Sequence, residues 1–106
     1  MAVKEKALRR LADKLNAAGV QWAIGGDWLL CQRGEKAAWH EFEIFVTPGE
    51  QEKADKVLTK LGMRNEEADA VAFHFDGADI HLKTLDTVES DGDTQVLGAT
   101  VHLLKV

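Results

Sequence analysis

The sequence predicts an α/β fold, of the α+β kind: a small mixed β-sheet with helices packed mainly on one face. Three observations lead there. Apolar residues recur at helical spacing near the N-terminus and again after Thr47. Polar and apolar residues alternate over residues 40–46, as they do in a strand with one covered face. Asp76-Gly77 separates two further alternating runs, a strong hairpin signal. At 106 residues the chain is one domain, residues 1–106, able to bury a modest core.

The elements follow in order. Residues 3–18 form an amphipathic helix, with Leu8, Leu11, Ala12 and Leu15 on one stripe and Gly19 as its C-cap. Residues 20–24 form a short apolar strand that runs into Gly25-Gly26. A helix of about eight residues leaves the glycines and ends near Gly34, and residues 35–38 link it to the strand at 40–46. Thr47-Pro48-Gly49-Glu50 then opens a helix: threonine can cap, proline suits the first turn, and glutamate stands three residues after the cap. Ala54, Val57, Leu58 and Leu61 make its buried face and Gly62 ends it. The hairpin at Asp76-Gly77 sets Phe75 opposite Ala78, His74 opposite Asp79, Phe73 opposite Ile80 and Val71 opposite Leu82. That register places His74, Asp79 and His81 on one face. Residues 84–94 are polar and read as a mobile connection. Residues 95–106 read as a last strand, or a bent pair broken at Gly98.

Bulk properties narrow the function. A net charge of −5 argues against a general nucleic-acid surface, which needs clustered lysine and arginine. No apolar run is long enough for a membrane span, and the charged first dozen residues do not form a signal peptide. The single cysteine, Cys31, can form no intrachain disulfide. It lies in an apolar run, as a buried thiol does, and the simplest compartment is the cytoplasm.

The chemistry concentrates around Trp22-Ala23-Ile24-Gly25-Gly26-Asp27-Trp28. Paired glycines between strand and helix remove two Cβ atoms, so that backbone N–H groups can approach a ligand, and they open a helix whose start favours anions. On the next strand, His40-Glu41-Phe42-Glu43-Ile44-Phe45-Val46 puts Glu41 and Glu43 on one face. Asp79 follows in Ala78-Asp79-Ile80-His81-Leu82. This ordered set resembles the nucleotidyltransferase superfamily that includes the aminoglycoside and lincosamide nucleotidyltransferases, over roughly residues 8–84. The resemblance implies a minimal nucleotidyltransferase-like domain. It would move a nucleoside monophosphate from a nucleoside triphosphate to the hydroxyl of a small-molecule or protein acceptor, with Mg2+ or Mn2+ as cofactor. Glu41, Glu43 and Asp79 would be the metal ligands, Asp79 also the catalytic base, and Gly25 and Gly26 the nucleotide-binding turn.

The chain departs from the family pattern in three places. Glu-Phe-Glu stands where the family carries Asp-x-Asp. Asp27 adds a negative charge beside the glycines. The cation that many relatives place before the acidic pair is replaced by Ala37-Ala38-Trp39, leaving Arg33 and Lys36 as the nearest cations. A second reading therefore stands beside the first: a non-catalytic module of the same fold, antitoxin-like or half of an oligomer, with the acids on a solvated sheet face. A third is a histidine-containing metal site, because His74 and His81 share the face of the acids and imidazole suits transition metals. Trp22 and Trp28 read as core, whereas Trp39 is free to stack on a base. His40 is expected on the apolar face. The apolar run Val101-His102-Leu103-Leu104-Lys105-Val106 reads as an uncovered edge strand that would recruit a second copy or a partner chain.

Overall fold

The computed structural model describes residues 4–105. Helix α1 (Lys4–Ala17) buries Ala7, Leu8, Leu11, Ala12 and Leu15, the stripe that helical spacing dictates. Gly19 closes it at φ +72°, a left-handed conformation that glycine adopts without strain. Strand β1 (Ala23–Gly25) is short and wholly buried. Helix α2 (Gly26–Gln32) leaves it directly. After an irregular segment come β2 (Glu41–Val46), α3 (Pro48–Thr59), β3 (Met63–Glu66), β4 (Val71–Phe75), β5 (Ala78–Thr84), β6 (Ser90–Val96) and β7 (Ala99–Leu104).

The strands form one seven-stranded mixed sheet in the order β3-β4-β5-β2-β1-β7-β6. β2 pairs antiparallel with β1 and parallel with β5, and β7 pairs parallel with β1. The β4–β5 hairpin has the register expected from its Asp-Gly turn, including His74 opposite Asp79 and Phe73 opposite Ile80. Along β2 the alternation puts Phe42, Ile44 and Val46 into the core, with no exposure, and leaves Glu41, Glu43 and Phe45 on the other face. Trp28 meets Phe42 edge-on, which sets α2 on the same side of β2 as Phe42. The core joins Leu8, Leu11 and Leu15 of α1 and Leu58 of α3 to Phe42, Ile44, Phe73, Ile80 and Leu82 of the sheet. Burying side chains of this kind contributes about 1.5–3 kcal/mol each and is the main favourable term in folding.

Several expectations are revised. The first strand starts at Ala23 rather than Val20, because the Gln21 amide donates to Glu50 Oε1 at 3.2 Å instead of to a neighbouring strand. That bond also diverts Glu50 from a reciprocal cap: Thr47 makes no side-chain capping bond, and only its carbonyl receives the Glu50 amide. β3 was not expected. It has no buried residue, and it is held by its ladder to β4 and by Arg64, whose Nε and Nη2 bond the two oxygens of Asp55 on α3 at 2.8 and 2.7 Å. The polar run expected to be a mobile connection contains β6, which forms a hairpin with β7 through Leu97-Gly98. β7 lies between β1 and β6 instead of at an edge, so the argument for a partner at that strand loses its physical basis; the edges are β3 and β6. Residues 3 and 106, to which the expected first helix and last strand extend, lie outside the described residues. No helix of the described residues is long and apolar enough to cross a membrane.

Candidate functional site

The face of the sheet opposite the helices carries the acids. Gly25 on β1 stands opposite Glu43 on β2, and across the parallel β2–β5 pair Glu41 stands opposite Asp79 and Glu43 opposite His81. The β4–β5 register adds His74, opposite Asp79. All the expected site residues on strands therefore share one face: Glu41, Glu43, Asp79, His74 and His81, with the glycine turn at one end.

Both glycines stand where an added Cβ would meet a neighbouring side chain. A Cβ at Gly25 would come within 2.9 Å of Leu104 and of the Phe45 ring. Gly26 has φ +66°, and a Cβ there would overlap the Glu43 carboxylate. Glutamate's extra methylene lets Glu43 reach back over the turn, so its carboxylate lies against the Gly26 backbone.

Each acid is engaged by a nitrogen from the neighbouring strand. Lys83 Nζ donates to Glu43 Oε1 at 2.6 Å, reaching back diagonally from its register position opposite Phe45. His81 Nε2 lies 3.2 Å from Glu41 Oε2 and 3.8 Å from Glu67 Oε1. His74 Nδ1 and Asp79 Oδ1 are 2.8 Å apart. The hydrogen bond to Glu43 raises the Lys83 ammonium above its ordinary range, and the charges of Glu43, Glu41 and Asp69 add to this against the opposing effect of burial. Lys83 was missed in the sequence, although strand alternation from Asp79 through His81 places it on the same face.

Lys36 belongs to the neighbourhood. It donates to Asp27 Oδ1 at 2.8 Å, which raises its pKa and offsets the negative charge beside the glycine turn. Trp39 does not: its ring packs 4.7 Å from that of Phe42, on the helix-covered side of β2, with the Lys4 ammonium over it. His40 is exposed rather than buried, because β2 begins one residue later. Trp22 and Trp28 are core, as expected, and Cys31 is half-buried. His102 on β7 is engaged elsewhere, between Asp93 Oδ1 at 2.6 Å and Asn16 Oδ1 at 3.2 Å. A cavity of about 370 Å³ opens beside His74, Asp79 and His81, walled by Met63, Arg64, Asn65 and Glu67.

Three carboxylates on one open face supply the hard oxygen donors that Mg2+ or Mn2+ prefers, so the donor chemistry fits such an ion. Among the described residues, no three acid, imidazole or thiol groups converge on one point. The reason is local: Glu43 is turned to Lys83, Glu41 to His81 and Asp79 to His74.

No protein-family profile and no curated protein sequence matches the chain. Solved structures do. One, from Thermotoga maritima and provisionally named a nucleotidyltransferase, superposes with a TM-score of 0.62 at 14% identity, over 92% of this chain and 76% of that one. Another, the aminoglycoside nucleotidyltransferase ANT(2″)-Ia in complex with adenylyl-2″-tobramycin, superposes with a TM-score of 0.73 at 10% identity, over 98% of this chain and 70% of that one. The glycine turn, the acid-bearing β2 and its parallel neighbour β5 are thus set in the nucleotidyltransferase fold.

Proposed function

We propose that this domain binds a nucleoside triphosphate at the Gly25-Gly26 turn and transfers its nucleoside monophosphate to an acceptor hydroxyl. The observation that supports this most directly is the β2–β5 register, which brings Glu41, Glu43 and Asp79 to one open face beside the glycines. Asp79 is the general base. It is accessible, with its side chain 62% exposed, and its Oδ1 is held by His74, which orients the carboxylate toward the cavity side of the face. The acceptor hydroxyl passes its proton to Asp79 as its oxygen bonds to the α-phosphorus. The bond from that phosphorus to the bridging oxygen breaks, and pyrophosphate leaves. Glu41, Glu43 and Asp79 would hold Mg2+ or Mn2+, which when bound neutralises phosphate charge and polarises the reacting oxygens. Lys36 keeps Asp27 from repelling the phosphates.

Incubation with α-labelled ATP, GTP, CTP or UTP and Mn2+ or Mg2+ tests the reading. The expected result is pyrophosphate release and a labelled product, both lost in Asp79→Asn. A chain that neither binds triphosphate nor releases pyrophosphate refutes it.

A second reading, a binding or regulatory module of the same fold, draws on the pairing of all three acids with protein nitrogens. Its signature is nucleotide or partner binding with no pyrophosphate released under any metal.

A further inference from the structure

Glu43 is the most enclosed acid of the row. Its side chain is 17% exposed, against 36% for Glu41 and 62% for Asp79. Its carboxylate is gripped on two sides. Lys83 Nζ bonds Oε1 at 2.6 Å, and the other side fills the space that the missing Cβ of Gly26 leaves open. An ammonium thus already sits on one of the oxygens that a cation at Glu43 would use. Lys83 is itself only 31% exposed, and Glu41 and Asp69 also draw its charge toward this face. A divalent ion at Glu43 therefore competes with a resident positive charge, and like charges cannot share one carboxylate without strong repulsion.

We propose that Lys83 is the resident counter-ion of Glu43 and the residue that determines whether a divalent cation can bind there. This rests on the reading of Glu41, Glu43 and Asp79 as cation ligands. It assigns Lys83 a positioning role: while paired, it holds Glu43 turned away from Glu41 and Asp79, and its release frees the carboxylate to turn toward them.

The test is Mn2+ binding to the intact protein, read as loss of the free-ion electron paramagnetic resonance signal without nucleotide. Lys83→Met should bind Mn2+ about tenfold more tightly than the wild type, the equivalent of one charge-assisted hydrogen bond no longer to be displaced. Lys83→Gln, a shorter polar side chain without the charge, serves if the methionine variant does not fold, and should behave alike. Lys83→Arg keeps the charge and should remain at the wild-type affinity. Adding Glu43→Gln to Lys83→Met should remove the gain.

Equal Mn2+ affinity in wild type, Lys83→Met and Lys83→Gln overturns the proposal, and so does a gain that survives Glu43→Gln. The broader reading fails separately. Pyrophosphate release with unchanged Mn2+ affinity leaves the enzyme and removes the role of Lys83. Tighter Mn2+ binding in Lys83→Met, with no triphosphate bound or cleaved by any variant, does the reverse.

Discussion

Replacing Gly26 by alanine probes the contact on which the site's geometry turns. Two effects follow from the structure. The backbone at Gly26 has φ +66°, and holding an L-residue there costs about 1–2 kcal/mol. The new Cβ also falls on the Glu43 carboxylate, which must swing away and release Lys83. That hydrogen bond is charge-assisted but partly screened, and its loss costs about 1 kcal/mol. Together Gly26→Ala should destabilise the domain by about 2–3 kcal/mol, roughly a 10 °C fall in melting temperature for a chain of this size. Urea unfolding followed by circular dichroism measures the change. Repeating it in a Glu43→Ala background separates the two effects, since only the backbone cost of about 1–2 kcal/mol should remain, leaving a coupling of about 1 kcal/mol. An identical cost in both backgrounds refutes the contact between Gly26 and Glu43. A cost below about 0.5 kcal/mol, the ordinary range of surface substitutions, refutes the left-handed backbone as well.

Two further predictions concern the frame around the site. Asn16 donates to the Thr100 carbonyl at 2.9 Å and its Oδ1 accepts from the Trp22 indole at 2.9 Å, tying α1 to β7. Asn16→Ala leaves that indole N–H, on a residue only 2% exposed, without its acceptor, and should cost about 1–3 kcal/mol in thermal or urea unfolding. Acid stability should depend on Asp55, whose carboxyl Arg64 holds below its ordinary value of 3.8, with Thr59 assisting. A depressed folded-state value contributes stability that is present above 3.8 and is lost as pH falls through the lower value. Unfolding free energies measured down that range should fall more steeply with decreasing pH in the wild type than in Asp55→Asn; parallel curves would show that the pair contributes nothing.

Legibility in the sequence followed burial. The stripe of α1, the alternation of β2 and the Asp76-Gly77 hairpin are all driven by one apolar face, and each was readable from spacing alone. β3 and β6 bury no residue, so hydrophobic periodicity shows nothing of β3 and, of β6, only its end at the break expected at Gly98; they exist because β4 and β7 present unpaired ladders and because Arg64 clamps Asp55. At the site, Glu41, Glu43, Asp79, His74 and His81 could be placed on one face because strand parity is fixed once the register is known. How their side chains pair could not be read, since it depends on which strands become neighbours. The parallel β2–β5 contact, made across an intervening helix and hairpin, is what brings Lys83 to Glu43. Trp39 was misjudged for a related reason: the irregular segment before β2 turns it back onto Phe42.

The parallel pairing of β7 with β1 has a consequence for synthesis. β1 is soon followed by β2, its antiparallel neighbour, but its second partner, β7, is the last of the described strands to be made. At ordinary elongation rates the nascent sheet carries an open β1 edge for on the order of ten seconds. That edge ends at the glycine turn. A nascent chain can therefore assemble the β2–β5 acid face before the wall that Leu104 forms against Gly25 exists, and the surroundings of the turn are completed only once β7 has been made.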